Sequence, residues 1–511
     1  PLKEDSRFPM YRQIYDHIKN EIQKGKMKAG EKLPSSRILA KNLCISRSTV
    51  DMAYDQLLAE GYIESVPCKG YYVCQMEGIY FDRKKKKFPE VNSGQKPSDT
   101  VYRWDFALNG IAPGGFPHNI WRKLSREVLS QEGDSLFQLG DPCGEPGIRQ
   151  AVAEYLHSAR GVDCDPGQII IGAGNDYLLM LLWVILGKNR KIAMENPTYL
   201  SAYYDFLHMG SHILPVGQDE QGIRIEELEK TEADTVYVMP SHQFPMGMVM
   251  PLKQRMELLK WAGAREGRYI IEDDYDSEFR YKGQPIPALS GFDQKGCVIY
   301  LGTFSKSLAP SVRVSYMVLP RELMNTYLSL EHLFSVTVSR TDQKILELFL
   351  REGYYERHLN RMRAVYKNKH DLMVKCLKDM SHICTFSGEN AGVHLLVEFC
   401  NGLTEQEAVF RAKESGIKVY GVSEYRIQKT SKEENMVLLG YATLREEDIE
   451  KAMKSLKKIW ENKNRKEAAH FVCKEYLHIK CGSFFLKSCS NDDITLPEYI
   501  FPFRNNRSSV S

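Results

Sequence analysis

The sequence predicts a multidomain protein: a small N-terminal α+β domain, then a large α/β domain with a seven-stranded, mainly parallel sheet and a smaller C-terminal α+β part. Three observations carry this. The 511 residues exceed what one hydrophobic core usually supports. Residues 1–76 alternate short amphipathic helices with turn signals and close on a hairpin pattern. From Val101 to about Arg465, apolar β-rich runs alternate with helical stretches, as when helices cover a sheet on both faces.

Composition narrows the class. With 43% hydrophobic and 26% charged residues the chain reads as globular, neither disordered nor fibrous. The net charge of +3 decides little over this length. Residues 1–76, with 12 Lys/Arg against 9 Asp/Glu, are mildly basic, which permits nucleic-acid binding. The 12 cysteines stand singly, with no C-x-x-C pair and no Cys/His group at zinc spacing. No metal is expected, and reduced thiols in a cytoplasm fit better than a disulfide scaffold. No secretory pattern opens the sequence, and the apolar run Tyr177–Leu186 is too short for a bilayer, so a cytoplasmic protein without membrane contact is expected.

In the first domain, Tyr11, Ile14, Tyr15, Ile18 and Ile22 recur at helical spacing, with Gly25 as the stop. A second helix starts at LPSSR, where Ser35 can cap orphan amides, and it turns Leu39 and Leu43 inward. Ser46 starts a third, SRSTVDMAYDQLLAEG, with Val50, Ala53, Tyr54, Leu57 and Leu58 inside and Arg47, Ser48 and Thr49 outside on the first turn. A hairpin follows, YIESV-PCKG-YYV. Three helices and a β-wing are the arrangement that lays a third helix in the major groove of double-stranded DNA. Each polar residue taken singly reads as solvated surface. The string LPSSRILAKNLCISRSTVDMAYDQLLAEGYIE…KGYYV, however, closely resembles the winged helix-turn-helix of the GntR superfamily over residues 8–73. The resemblance implies DNA contacts from Ser35, Arg37, Ser46, Arg47, Ser48, Thr49, Lys69 and Gly70. Residues 77–100, with the basic run at 83–87, read as a linker, and 466–511 fit no element and form an unassigned tail.

In the large domain, predicted to span 101–465, seven strands are expected at 168–171, 191–195, 212–216, 235–239, 269–273, 297–303 and 314–319. A more helical part follows at 325–465, with strands near His394–Phe399 and Met436–Ala442. Four stretches carry chemistry. In GTFSKSLAPSVRVSY, Lys306 leaves a buried strand into a Ser/Thr-rich loop, as a lysine that forms a Schiff base with an aldehyde cofactor would. Its neighbours Thr303, Ser305 and Arg313 suit a phosphate dianion. In IIEDDYDSEFR, Asp273 at a strand end can hold a pyridinium, and Tyr275 can bond a phenolic oxygen. In IIIGAGNDYLL, Gly174 and Asn175 would turn backbone amides toward an anion at a helix N-terminus. In MENPTY, Tyr199 can stack on a ring. Alone, each has a plainer reading as a surface lysine, solvated acids, a tight turn and a core tyrosine.

Together, in this order and at the ends of predicted strands, they closely resemble the fold-type-I aminotransferases. The strings WDFALNGIAPGGFPHNIW, LGDPCGEPGIRQAVAEYL and MPSHQFPMGMVM narrow the resemblance to the MocR/GabR subfamily of GntR regulators, over about residues 8–460. It implies pyridoxal 5'-phosphate (PLP) as cofactor, with Lys306 as the catalytic-type Schiff-base lysine and Asp273 and Tyr275 on the ring. Tyr199 would stack on that ring, and Gly174, Asn175, Thr303, Ser305 and Arg313 would hold the phosphate. Phe244-Pro245-Met246-Gly247 stands where many aminotransferases have Asn-Pro-x-Gly, so the usual asparagine is absent and His242 or Gln243 is the candidate substitute. Asp176 stands in place of a usual glutamine and Ser315 in place of a glycine. Arg426 is the candidate for an effector carboxylate. The function implied is a PLP-dependent transcription regulator that senses an amino acid or amine by aldimine exchange at Lys306, working as a head-to-tail homodimer on paired operator half-sites. The alternative is an active aminotransferase with a DNA-binding appendage.

Overall fold

The computed structural model describes residues 8–75, 101–131, 133–281, 286–330, 334–429 and 434–461. The expected linker, 77–100, and the expected tail, 466–511, therefore lie outside the described residues. The chain divides into two units, 1–99 and 100–511.

In the first unit, helices Met10–Gln23, Ser36–Leu43 and Arg47–Ala59 precede an antiparallel hairpin of Ile63–Val66 and Gly70–Val73. The apolar spacing explains the packing. Ile14, Ile18 and Ile22 meet Val50, Ala53, Tyr54 and Leu57, and Ile63 and Val73 close the core from the hairpin. Tyr54 satisfies its buried hydroxyl on the Pro34 carbonyl at 2.9 Å. The second helix buries Ser36 and Ala40, whereas Leu39 and Leu43 are only half-buried. With eight residues it presents two turns, and the smaller side chains take the closest approach to its neighbour. Ser35 and Ser46 both cap, accepting from the amides of Ile38 and Thr49 at 3.3 Å.

In the second unit, among the described residues, seven strands form one sheet in the order Ile169–Gly172, Ser315–Val318, Val298–Thr303, Tyr269–Asp274, Thr235–Val238, Lys191–Glu195 and His212–Val216. Ser315–Val318 runs antiparallel to both neighbours, and the other pairings are parallel. The central strands are buried along their whole length, which is why they read as unbroken apolar runs. Each expected strand is present, within a residue or two of its predicted ends.

A four-stranded sheet of Cys384–Ser387, His394–Phe399, Met436–Gly440 and Tyr420–Gly421 builds the smaller part, packed against helices Tyr354–Lys378, Glu405–Glu414 and Glu446–Glu461. The start of the unit joins this part: Trp104–Asp105 pairs in parallel with Ile417–Lys418, more than 300 residues away, and the Phe106 carbonyl accepts from Gly440 N at 3.0 Å. The segment after residue 101 is thereby held as an edge of the smaller part, and it continues directly to Leu108–Gly110. No helix among the described residues is long and apolar enough to cross a membrane.

Candidate functional site

The parallel strands end on one side of the sheet, and the loops there enclose a cavity of about 390 Å³. Eight of the nine residues expected to bind cofactor line it: Lys306, Asp273, Tyr275, Tyr199, Asn175, Thr303, Ser305 and Arg313. The ninth, Gly174, precedes helix Asn175–Leu186 with φ of +94°, and a Cβ there would come within 2.3 Å of the Arg313 guanidinium. Glycine is required at this position both by the backbone conformation and by that close approach.

Asp273 closes strand Tyr269–Asp274 and is buried, as is Asp274. Neither is the solvated strand-end acid that it resembles in isolation. Asn175 Nδ2 lies 3.4 and 3.5 Å from the Asp273 oxygens, and the Tyr237 hydroxyl donates to Oδ2. Burial pushes the carboxyl up to about 7 despite these donors. A cationic partner in the cavity would reverse that shift. Asn175 Oδ1 is buried without a protein partner, a second polar group turned to the site.

Lys306 follows strand Val298–Thr303. Its amine donates to the Leu108 carbonyl at 2.7 Å and to Asn109 Oδ1 at 2.9 Å. Burial lowers it to about 8, with Asp276 pulling the other way. A lysine near 8 is far more often neutral at physiological pH than an exposed one, as a nucleophilic amine must be. Leu108 and Asn109 were not singled out from the sequence. They lie almost 200 residues from Lys306, inside the string WDFALNGIAPGGFPHNIW, which carried the family resemblance but named no partner for the lysine.

An anion cup occupies the other end. The N-terminus of helix Asn175–Leu186, the hydroxyls of Thr303 and Ser305 and the Arg313 guanidinium converge on it. Ser315 donates from Oγ to Thr303 Oγ1 at 2.9 Å, so the residue standing in place of the usual glycine orients a cup hydroxyl. Asp176 pairs with Arg313 at 2.8 Å at the cup's rim.

The remaining wall is apolar. Tyr199 packs edge-on to Phe244, whose ring also meets Tyr275 and Tyr425. Of the two candidate substitutes for the missing asparagine, Gln243 is turned away: its amide donates to Glu195 and to the Pro197 carbonyl, both at 3.2 Å. His242 lies 3.0 Å from the Tyr275 hydroxyl. Arg426 is engaged elsewhere, with Nε 2.6 Å from Glu434. Behind the cavity Asp274 forms a buried ion pair with Arg160 at 2.7 Å and accepts from the Tyr300 hydroxyl at 2.5 Å.

The donor set fits PLP. Asp273 would suit a ring nitrogen, Tyr275 a phenolic oxygen, Lys306 an aldehyde carbon, and the cup a phosphate.

In the first unit the reading-helix residues are arranged on the surface. Ser46, Arg47 and Ser48 are exposed and Thr49 half-exposed. The Ser46 hydroxyl is shared with Ser48 and Thr49 at 2.9 and 2.7 Å, and among the described residues Arg47 pairs with Asp51 at 3.4 Å. Arg37 and Lys69 are exposed without an ion pair among the described contacts, and Gly70 takes φ of +107° at the wing.

Comparison with known proteins agrees with this division. Residues 10–73 match the family model of bacterial regulatory proteins of the gntR family, and residues 110–456 match that of aminotransferase class I and II. The chain is 39% identical to the HTH-type transcriptional regulator YdeL of Bacillus subtilis, across 88% of this chain and 97% of that one. It is 32% identical to the probable rhizopine catabolism regulatory protein MocR of Rhizobium meliloti, across 89% and 94%. Among solved structures, an archaeal alanine:glyoxylate aminotransferase superposes with a TM-score of 0.64 at 25% identity, across 72% of this chain and 92% of that one.

Proposed function

Because the chain belongs to the family of transcriptional regulators that join a gntR-type DNA-binding domain to an aminotransferase class I and II domain, MocR among them, we propose that it senses an amino acid or amine at Lys306 and reports this to DNA. The observation that carries the reading is the convergence of Lys306, Asp273, Tyr275, Asn175, Thr303, Ser305 and Arg313 on one cavity. Bound PLP supplies an aldehyde carbon for an amine and an electron-withdrawing ring.

The chain's residues do the rest. Asp273 holds the ring nitrogen, Tyr275 the phenolic oxygen and Tyr199 one ring face. Gly174, Asn175, Thr303, Ser305 and Arg313 hold the phosphate. With an effector amine in place of the lysine, Leu108 O and Asn109 Oδ1 would hold the free Lys306 amine, as they do here. Those two acceptors sit on the segment that leads in from residue 101, so a change at the lysine reaches the connection toward the reading heads. Phe137 and Leu139, 76% and 91% exposed, are apolar surface of the kind a homodimer covers. A dimer in turn places two reading heads on paired half-sites of double-stranded DNA, with Ser35, Arg37, Ser46, Arg47, Ser48, Thr49, Lys69 and Gly70 at the interface. Such a protein works in the cytoplasm.

A second reading, an aminotransferase with a DNA-binding appendage, is favoured by one observation. The Lys306 amine near 8 is basic enough to move a proton at neutral pH. Steady multiple turnover with amino donors and 2-oxo acids would replace the sensor reading by this one.

The first experiment is an absorption spectrum with and without PLP, on the wild type and on Lys306→Ala. The expected result is a band of the lysine-bound cofactor in the wild type alone, which then moves on addition of an amine that also alters DNA affinity. A wild type that forms no band would end the cofactor reading.

A further inference from the structure

His242 stands behind Tyr275 and outside the cavity wall, in a setting that admits little else. It is 1% exposed. Gly392, at φ of +77°, packs so closely that a Cβ there would lie 2.0 Å from His242 Cε1, and a Cβ on Gly247 would lie 3.6 Å from Nε2. His394 tilts against the imidazole at 5.1 Å between ring centres. His394 is itself neutral, pushed down to about 3 by burial first and then by His242, with its Nε2 donating to the Pro245 carbonyl.

His242 Nδ1 meets two partners, Asp276 Oδ2 at 2.8 Å and Tyr275 Oη at 3.0 Å. A carboxylate only accepts, so Nδ1 carries a hydrogen, while Nε2 meets no partner among the described residues. A protonated Nδ1 cannot accept from the Tyr275 phenol. The phenol oxygen shares the Nδ1–H instead, and its own hydrogen must go elsewhere. Asp276 is the competing acceptor, within reach of the Tyr275 hydroxyl and with Oδ1 lacking a partner. The Nδ1–H already given to Oδ2 weakens Asp276 as an acceptor and tips the phenol hydrogen toward an acceptor in the cavity.

We infer that His242, locked by Asp276, is a positioning residue that directs the Tyr275 hydroxyl hydrogen into the cavity, toward the phenolic oxygen of PLP. The inference rests on the proposed cofactor reading. It assigns to an imidazole acting through Tyr275 the support that an asparagine beside the phenolic oxygen gives in many aminotransferases. Other charges face the same phenol: Asp273 from its own strand, and Lys306, whose amine lies 6.0 Å from the Tyr275 ring centre.

The test is a pH titration of the absorption band in the PLP-loaded full-length chain. A donor on the phenolic oxygen withdraws negative charge and makes the adjacent lysine nitrogen a weaker base. His242→Phe should therefore raise the spectral midpoint by about one pH unit. Tyr275→Phe should raise it similarly, and adding His242→Phe to Tyr275→Phe should change nothing further, because His242 acts only through the phenol. His242→Asn, whose amide N–H replaces Nδ1–H, should restore the wild-type midpoint.

An unmoved midpoint in His242→Phe, or an equal shift in the Tyr275→Phe background, would overturn the inference. Should His242→Phe not fold, nitrogen-15 NMR of histidine-labelled wild type decides: an Nδ1–H tautomer at His242 supports it and an Nε2–H tautomer overturns it. A wild type with no PLP band is a different result, which removes the cofactor reading and this inference with it.

Discussion

Gly174→Ala isolates the anion cup. The alanine Cβ would lie 2.3 Å from Arg313 Nη2 and 2.6 Å from Cζ, and φ of +94° is a conformation that alanine resists. The backbone strain costs about 1–2 kcal/mol of fold stability. The clash is relieved by displacing the Arg313 side chain, which is half-exposed and free to swing outward with its partner Asp176. What is lost is then one charge-assisted hydrogen bond to the phosphate, worth about 1.5–3 kcal/mol. At about 1.4 kcal/mol per factor of ten, PLP affinity should fall by roughly 10- to 100-fold. Absorbance titration measures this, with pyridoxal, which lacks the phosphate, as the internal control. Pyridoxal binding should be weakened far less. Equal weakening of both aldehydes, or of neither, would refute the placement of the phosphate at Gly174 and Arg313.

Three further outcomes are expected. Gly392→Ala, with a Cβ 2.0 Å from the His242 ring and φ of +77°, should destabilise the chain by about 2–4 kcal/mol, read as a lowered Tm. In protein free of PLP, Asp273 is an acid raised to about 7 by burial, so the folded state holds its proton between about pH 4 and pH 7 while the unfolded chain releases it. Stability from this group is therefore lost as pH rises through that window, and Asp273→Asn should lose less stability between pH 5 and pH 7 in urea melts than the wild type does. Arg47→Ala removes an exposed side chain whose one ion pair among the described residues is with Asp51 at 3.4 Å, so Tm should hardly move. The salt dependence of duplex binding, followed by fluorescence anisotropy, should fall by about one unit of slope if Arg47 meets a phosphate.

Much of the architecture is legible in the chain itself, and the reason is local periodicity. A strand buried on both faces, such as Thr235–Val238 or Val298–Thr303, must be apolar at every position, and it is. The end residues differ because a ladder stops where a partner stops: Gly172 joins the first strand through its pairing with Ser315, which no propensity announces. The reading helix is equally plain, since Ser46 caps it and Val50, Ala53, Tyr54 and Leu57 return at helical spacing. The parallel pairing of Trp104–Asp105 with Ile417–Lys418 leaves no trace in either segment.

For the site, the linear order is enough to place a lysine, an aspartate, a tyrosine, an arginine and a glycine turn at the strand ends, each in a short motif. How those groups are tuned follows from the folded neighbourhood. Tyr237 donates to Asp273 from a neighbouring strand, Asn109 holds the Lys306 amine across 197 residues, His242 rather than Gln243 backs Tyr275, and Glu434 occupies Arg426. A motif is written along the chain, because one loop or helix turn must carry it. A pKa or a hydrogen-bond partner is a property of what lies within a few ångströms in space, and those neighbours come from segments that the linear order keeps apart.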